Sequence, residues 1–198
     1  MRAEAKKGTS DGRRLRSERS RQSIIAAAIA LMDDGVLVPT AQQISDRAGV
    51  GMRTFFRHFA DMESLFVAVN DFARQGFEAP FRGGDRTGSL EERIDKFVRK
   101  RADGYDTVAK VMLSTQANMW RSKFVRKSHE QVVRDLRADL ERWLPEAKDL
   151  TAEQRQVLDA VSSFDMWNRL RQYQKLGKRA STAIVRGLVA QVFLQADA

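Results

Sequence analysis

The stretch of residues 40–59 constrains the fold of this chain most, because it carries the signals of two short helices joined by a tight turn. An apolar stripe at helical spacing predicts a first helix of about two turns: Ala41, Ile44 and Ala48. Thr40 and Gln43 match a capping box, in which each side chain satisfies a backbone N–H of the first turn. Gly49 is expected to end the helix, since glycine adopts the left-handed conformation at little cost.

The second helix of this pair is predicted to begin after Gly51, with Phe55 and Phe59 on its inward face. Its outward face carries the following residues: Met52, Arg53, Thr54, Arg57 and His58. Outward arginines on a short helix pinned by aromatic residues suit the second helix of a helix-turn-helix, which enters the major groove. An ordinary helical hairpin with a solvated basic face fits the spacing equally well.

Three segments surround and include this pair in a specific order: IIAAAIALMDDG from Ile24, then TAQQISDRAGVGMRTFFRHF, then DMESLFVAV. In this order they closely resemble the N-terminal DNA-binding region of the TetR family of transcriptional regulators. The resemblance implies an all-α fold, in which a three-helix DNA-binding domain precedes a helical ligand-binding and dimerisation domain. It also implies a set of residues that contact operator DNA: Thr40, Met52, Arg53, Thr54, Phe56, Arg57 and His58.

Three positions depart from the family pattern. Phe56 stands where the family usually has Tyr, Gly51 where it has Ser or a similar cap, and Met62 where it has Lys. Tyr and Lys at these positions typically hold phosphates, so two anchors are absent. Either the affinity for DNA is lower or another segment supplies the charge.

The formal net charge of +9 is unevenly distributed. Residues 1–21 carry eight Lys or Arg against three acidic residues, a net charge of +5, whereas residues 22–65 carry three Arg against five acids, a net charge of −2. Residues 1–20 are therefore expected to form a flexible basic arm that tracks phosphates or enters the minor groove. A solubilising disordered tail is the alternative, and is preferred for the first dozen residues of the free protein.

A loop rich in glycine and proline, residues 78–89, marks the expected boundary between a DNA-binding domain at 21–77 and a helical domain at 78–198. Every later segment has helical periodicity and none alternates as a strand does. Thr151 with Gln154 is expected to open one helix that reaches about Gly177. The last helix follows from about residue 179 to residue 195.

Large side chains of the helical domain allow an apolar pocket for an effector that is expected to be largely apolar: Phe97, Tyr105, Met112, Met119, Trp120, Phe164 and Trp167. Such residues at helical spacing are core more often than ligand contacts. The broad apolar stripe of the last helix points to a partner subunit, since such patches are rare on soluble monomers. The centre of that dimer interface is predicted at Trp167, Leu170, Leu188 and Val192.

Composition argues against other classes of protein. The chain has no cysteine and no apolar run long enough for a membrane span, so a cytoplasmic location is expected. Its two histidines, His58 and His129, lack a second ligand at metal spacing, and no glycine-rich phosphate loop appears. The chain is therefore expected to be no enzyme and to need no cofactor or metal.

Three hypotheses remain for the function. The first is a dimeric repressor that binds double-stranded palindromic operator DNA and is released by a small-molecule effector. The second is a DNA-binding regulator without ligand response. The third is a helical binding protein with a vestigial DNA reader, which the missing phosphate anchors leave open.

Overall fold

The computed structural model describes residues 7–194, and this part of the chain is helical without a strand, which confirms the all-α prediction. Its α-helices are α1 (Lys7–Asp33), α2 (Ala41–Ala48), α3 (Met52–His58), α4 (Met62–Glu78), α5 (Leu90–Asn118), α6 (Lys123–Trp143), α7 (Ala152–Val161), α8 (Phe164–Asn168) and α9 (Lys178–Leu194). Two 3₁₀ segments, Ala79–Phe81 and Pro145–Asp149, and a π-helical turn, Arg169–Tyr173, complete the order. Among the described helices, none has the length and apolar character that crossing a bilayer requires.

The helices form two units. The first contains residues up to Arg74 together with Leu113–Lys127, and the second contains Gln75–Met112 and the residues from Ser128 onward. The sequence suggested a single boundary at residues 77 and 78, so the contribution of residues 113–127 to the first unit is a difference. It follows from side-chain contacts between positions far apart in the sequence.

Those contacts involve polar side chains at the end of α5 and the start of α6. Ser114 Oγ and Asn118 Nδ2 each donate a hydrogen bond of 2.8 Å to the carbonyl of Leu37, which lies between α1 and α2. The Glu63 carboxylate of α4 accepts a 2.8 Å hydrogen bond from the backbone N–H of Phe124. Because Ser114 and Asn118 are buried, these bonds satisfy groups that would otherwise be costly to bury.

The core of the first unit lies under α2 and α3. Ile24 of α1, Ile44 of α2, Phe55 of α3 and Leu65 of α4 are all fully buried in one cluster, together with Phe59 after α3. Helices as short as α2 and α3 are not stable alone in water, so their apolar faces must be buried to keep them folded. The cluster therefore determines where α3 lies.

Helix α1 begins at Lys7, whereas the sequence predicted a flexible segment as far as residue 20. Residues 13–19 have exposed side chains and no apolar stripe, which is why periodicity missed them. Once the buried half of α1 has formed, each further residue adds one helical hydrogen bond at low cost. Arg16 Nε to Gly12 O (3.1 Å) and Ser20 Oγ to Arg16 O (3.0 Å) add side-chain hydrogen bonds along this extension.

The second unit departs from the sequence prediction at Ser162 and Ser163. The single helix expected from Thr151 to Gly177 is wrong, because the chain breaks into α7, α8 and the π-helical turn. Ser163 Oγ accepts a 3.2 Å hydrogen bond from the backbone N–H of Met166 and so caps a new helix. The buried Tyr105 hydroxyl donates a 3.0 Å hydrogen bond to the Ser162 carbonyl, so this carbonyl has a partner although the helix ends there.

Replacing Asn118 with Ala is expected to lower the free energy of unfolding by about 1–3 kcal/mol, because Arg121 Nε then loses its acceptor at Asn118 Oδ1 in addition to the bond to Leu37. Ser114→Ala is the matched control. It should cost under about 1 kcal/mol, since Asn118 still donates to the Leu37 carbonyl. Urea unfolding followed by circular dichroism measures both values, and an equal or larger loss in Ser114→Ala would contradict this account.

Candidate nucleic-acid interface

The first helix of the predicted pair, α2, is closed at both ends as the sequence indicated. Thr40 Oγ1 accepts a 3.2 Å hydrogen bond from the Gln43 N–H, and Gln43 Oε1 accepts a 2.9 Å bond from the Thr40 N–H, which completes the capping box. Gly49 follows α2 with φ +65°, a conformation that favours glycine. Thr40 remains exposed at the start of the helix, where backbone N–H groups favour an anion.

The second helix, α3, has only seven residues and is held from below by two aromatic rings. Phe55 and Phe59 are fully buried, with their ring centroids 6.0 Å apart. The guanidinium of Arg21 lies over the Phe59 ring at 5.3 Å, so α1 packs beside the end of α3. The predicted inward face of α3 is thus the buried one.

The outward side of α3 presents Arg53, Phe56 and Arg57 to solvent, with Phe56 50% exposed. Met52 and Thr54 are half-buried. Ser45 Oγ donates to Met52 Sδ at 3.3 Å, which ties Met52 to α2. Of the residues that resemblance assigned to DNA contact on this helix, the two arginines and Phe56 are therefore the most accessible.

His58 differs from the other outward residues because it is half-buried, and its Nε2 has no hydrogen-bond partner within the described residues. Its pKa lies below the ordinary value of 6.5, chiefly because burial disfavours the charged form, and next because Arg57 and Arg21 are close. At neutral pH the uncharged form of His58 therefore predominates. It adds no fixed positive charge to this surface.

Positive charge near α3 comes instead from the N-terminal half of α1. Four exposed arginines lie on this helix: Arg13, Arg14, Arg16 and Arg19. Arg21 and Glu18 of the same helix interact electrostatically with His58, which places this basic segment close to the end of α3. The predicted basic arm is thus helical from Lys7, and its first six residues lie outside the described range.

The effector residues predicted from sequence fall in both units. Tyr105 packs between the rings of Phe81 and Phe164, at 5.6 Å from each, and Phe97 packs against Trp143 at 6.3 Å. Four further residues were predicted to line the effector pocket. Met112 and Trp167 are buried in the second unit. Met119 and Trp120 belong to the first unit, and Trp120 is 78% exposed. Helical periodicity marked these residues as apolar but could not separate core from pocket.

Three of the four predicted dimer residues are also core. Trp167, Leu170 and Val192 are buried within the single subunit, and only Leu188 is half-buried. Trp167 Nε1 donates a 2.9 Å hydrogen bond to Asp106, which holds the indole inside its own subunit. The single subunit therefore already buries these three side chains, and their place at the centre of a dimer interface stays a prediction.

Comparisons with known proteins agree with this geometry. Residues 24–69 match the family described as bacterial regulatory proteins, tetR family. A transcriptional regulator from Rhodococcus sp. Rha1 has a similar fold, with a TM-score of 0.64 and 14% sequence identity over 92% of this chain and 98% of the other. The comparison with curated proteins finds no match.

The matched residues span the buried part of α1, all of α2 and α3, and the first half of α4. They therefore contain the capped α2, the glycine turn and the exposed arginines of α3. Within the described residues, no group of three His, Cys, Asp or Glu side chains is placed to hold a metal ion. The family match and the site geometry together identify residues 24–69 as a DNA-binding region of the TetR type.

Proposed function

We propose that the chain acts as a homodimeric repressor, which binds a palindromic operator and is released from it by a small-molecule effector. The observation that carries the proposal is the pair of exposed arginines, Arg53 and Arg57, on a helix whose opposite side is fixed by Phe55 and Phe59. A helix held in this way presents the same side chains to every site it meets. Rigid presentation is what direct reading of base edges requires.

Arg53 and Arg57 are spaced four residues apart, so they lie on one side of α3. The paired donors of arginine match the two acceptors of guanine in the major groove. We assign base reading to these two residues. Phe56, which lacks the hydroxyl of the tyrosine usual in this family, offers apolar contact to sugars or to a thymine methyl group in place of a phosphate hydrogen bond.

The exposed arginines of α1 supply the phosphate contacts that Phe56 and Met62 cannot make. Contacts to phosphates orient a protein on the duplex and contribute affinity without reading sequence. Residues 22–65 have a net charge of −2, so without α1 the surface would have little attraction for DNA. Affinity and specificity are thus divided between α1 and α3.

A dimer is needed because one short reader helix covers too few base pairs to find its site in a genome. We propose that the subunits meet through apolar side chains that a single subunit leaves accessible: Ile184, Leu188 and Leu194 on α9, and Val157 on α7. Helices α7 and α9 pack together, so these side chains belong to one helical pair. This surface shares only Leu188 with the set expected from sequence, whose other members the single subunit buries.

Release requires an effector that prefers the state in which the two readers no longer match the operator spacing, since equal affinity for both states shifts nothing. Helices α5 and α6 each contribute residues to both units. Their ends hold the Leu37 carbonyl and, through Glu63, the start of α4. A change in the second unit can therefore pass along either helix and reach the first unit, where these hydrogen bonds join the helix ends to Leu37 and Glu63.

Arg53→Ala and Arg57→Ala are each expected to weaken binding to the true operator by about 1–3 kcal/mol while leaving binding to unrelated DNA nearly unchanged. The operator is sought in the DNA upstream of the chain's own coding sequence, and fluorescence anisotropy measures both affinities. Arg99→Ala, an exposed arginine on α5, controls for the loss of one charge. A uniform loss on every sequence would instead mark the residue as a phosphate contact.

Replacing Arg13, Arg14, Arg16 and Arg19 together with Gln is expected to weaken binding to all DNA sequences alike, because these side chains bind phosphates. The slope of log affinity against log salt should fall by about 0.9 for each phosphate that the variant no longer neutralises. Gln is a good helix former, so the helix itself is retained. An unchanged slope would contradict the role given to α1.

Ile184→Glu is expected to give a folded monomer with little operator affinity, because the carboxylate would be buried without a partner between subunits. Leu188→Glu should act in the same way. Val133→Glu on α6 is the matched control, since Val133 is 37% exposed and Ile184 is 39% exposed. Sedimentation at micromolar concentration measures assembly, and a monomeric wild type that still binds the operator tightly would contradict the dimer.

A further inference from the structure

Three arginines of the second unit converge on one buried carboxylate. Asp139 of α6 lies 3.2 Å from Arg86, 3.4 Å from Arg101 and 3.3 Å from Arg142, measured from carboxylate oxygen to guanidinium nitrogen. One negative charge thus faces three positive charges. The carboxylates nearby are engaged by other cations, Glu146 by Arg93 and Asp85 by Lys96. We call Arg86, Arg101, Arg142 and Asp139 the arginine cluster.

Two hydrogen-bond donors beside the arginine cluster lack acceptors within the described residues. Trp143 is 2% exposed, and its Nε1 is buried without a partner. The Nε of Arg86 is also buried without a partner, and its guanidinium lies 5.1 Å above the Trp143 ring. A buried donor without an acceptor costs about 1–3 kcal/mol. Both unsatisfied groups are N–H donors, so a ligand at the arginine cluster should bring a hydrogen-bond acceptor. Because the arginines are positively charged, a negatively charged acceptor suits the cluster best.

The cluster also has a route to solvent. The Arg86 side chain is 32% exposed and that of Arg142 is 60% exposed, so both side chains border water. Gly84, with φ +108°, crosses directly over the indole of Trp143, where a Cβ would lie 2.6 Å from a ring carbon. The absence of a side chain at this position lets the backbone lie close to the ring.

We propose that the arginine cluster binds the oxyanion of an acidic small molecule, a carboxylate or a phosphate. Arg86 and Arg142 supply charge-assisted hydrogen bonds, for which the planar guanidinium is well suited. Trp143 Nε1 donates a further hydrogen bond once the side chains adjust, while Asp139 keeps the guanidiniums in place. The role of this ligand as the effector rests on the proposed function, whereas its binding does not.

Calorimetric titration of the full-length protein without DNA tests binding with three probes: inorganic phosphate, benzoate and benzamide. Benzamide is the neutral counterpart of benzoate and should not bind, since it brings no charge to the arginines. Binding of benzoate identifies a carboxylate as the ligand group, and binding of phosphate alone identifies a phosphate. No binding of either anion, or equal binding of benzoate and benzamide, would overturn the proposal.

Variants locate the binding. Arg86→Gln and Arg142→Gln should each weaken anion binding about tenfold or more, as expected for loss of a hydrogen bond between charged groups. Arg99→Gln removes the same charge from α5 at a residue paired with Asp95, and should bind as the wild type does. Equal affinities in all three variants and the wild type would mean an adventitious ion only, and would overturn the proposal.

The indole N–H signals in a ¹H–¹⁵N spectrum provide a second readout, in which binding itself is followed on the wild-type protein. The chain has three tryptophans, and Trp143→Phe identifies the signal of Trp143. Binding at the cluster should shift that signal, while the signals of the exposed Trp120 and of Trp167, bonded to Asp106, stay in place. A bound anion that leaves the Trp143 signal unmoved would overturn the assignment.

The same anions are then added to the protein bound to its operator. Release of DNA by an anion that binds the cluster makes the cluster the effector site. Anion binding by a protein that recognises no operator would overturn the repressor hypothesis and leave the binding site intact. Operator binding by a protein that takes up no anion would overturn the anion site and leave the DNA-binding function intact.

Discussion

Burial of Phe55 and Phe59 is the interaction on which the proposed DNA-binding surface depends. Helix α3 has seven residues, fewer than an isolated helix needs to be stable in water. Burying each aromatic side chain contributes about 1.5–3 kcal/mol, and both rings pack in the cluster that contains Ile24 of α1 and Ile44 of α2. The orientation of Arg53 and Arg57 therefore follows from hydrophobic packing beneath them, and we expect any change that loosens the cluster to weaken recognition without touching DNA.

The distribution of charge is consistent with the proposed division of work, in which α1 contributes affinity and α3 reads the sequence. The residues that carry the reader have a net charge of −2, while the first 21 residues carry +5. In the structure the basic residues from Lys7 onward lie on a continuous helix whose buried half is part of the same core. Rigid attachment gives the proposed phosphate contacts a defined position relative to α3. The loss of the tyrosine and lysine anchors at Phe56 and Met62 is then compatible with tight binding.

Sequence reasoning succeeded where local physical chemistry decides the structure and failed where distant contacts decide it. The capping box at Thr40, the turn at Gly49 and the inward Phe55 each follow from neighbouring residues. The start of α1 was missed because residues 13–19 show no apolar stripe, although the core beyond them favours helix extension. The burial of Val192 within its own subunit could not be predicted, because periodicity marks an apolar face without revealing whether the same chain covers it. The arginine cluster joins residues more than 50 positions apart, which no local pattern can indicate.

The central claim is that two copies of α3 read a defined DNA sequence together. Selection of binding sites from a random library of double-stranded DNA with the full-length protein tests it most directly, because no operator needs to be known beforehand. The account predicts enrichment of an inverted repeat whose half-sites contain guanine and lie about 10 base pairs apart, or a multiple of that spacing. Recovery of sequences without a common motif, despite binding to the library, would contradict it.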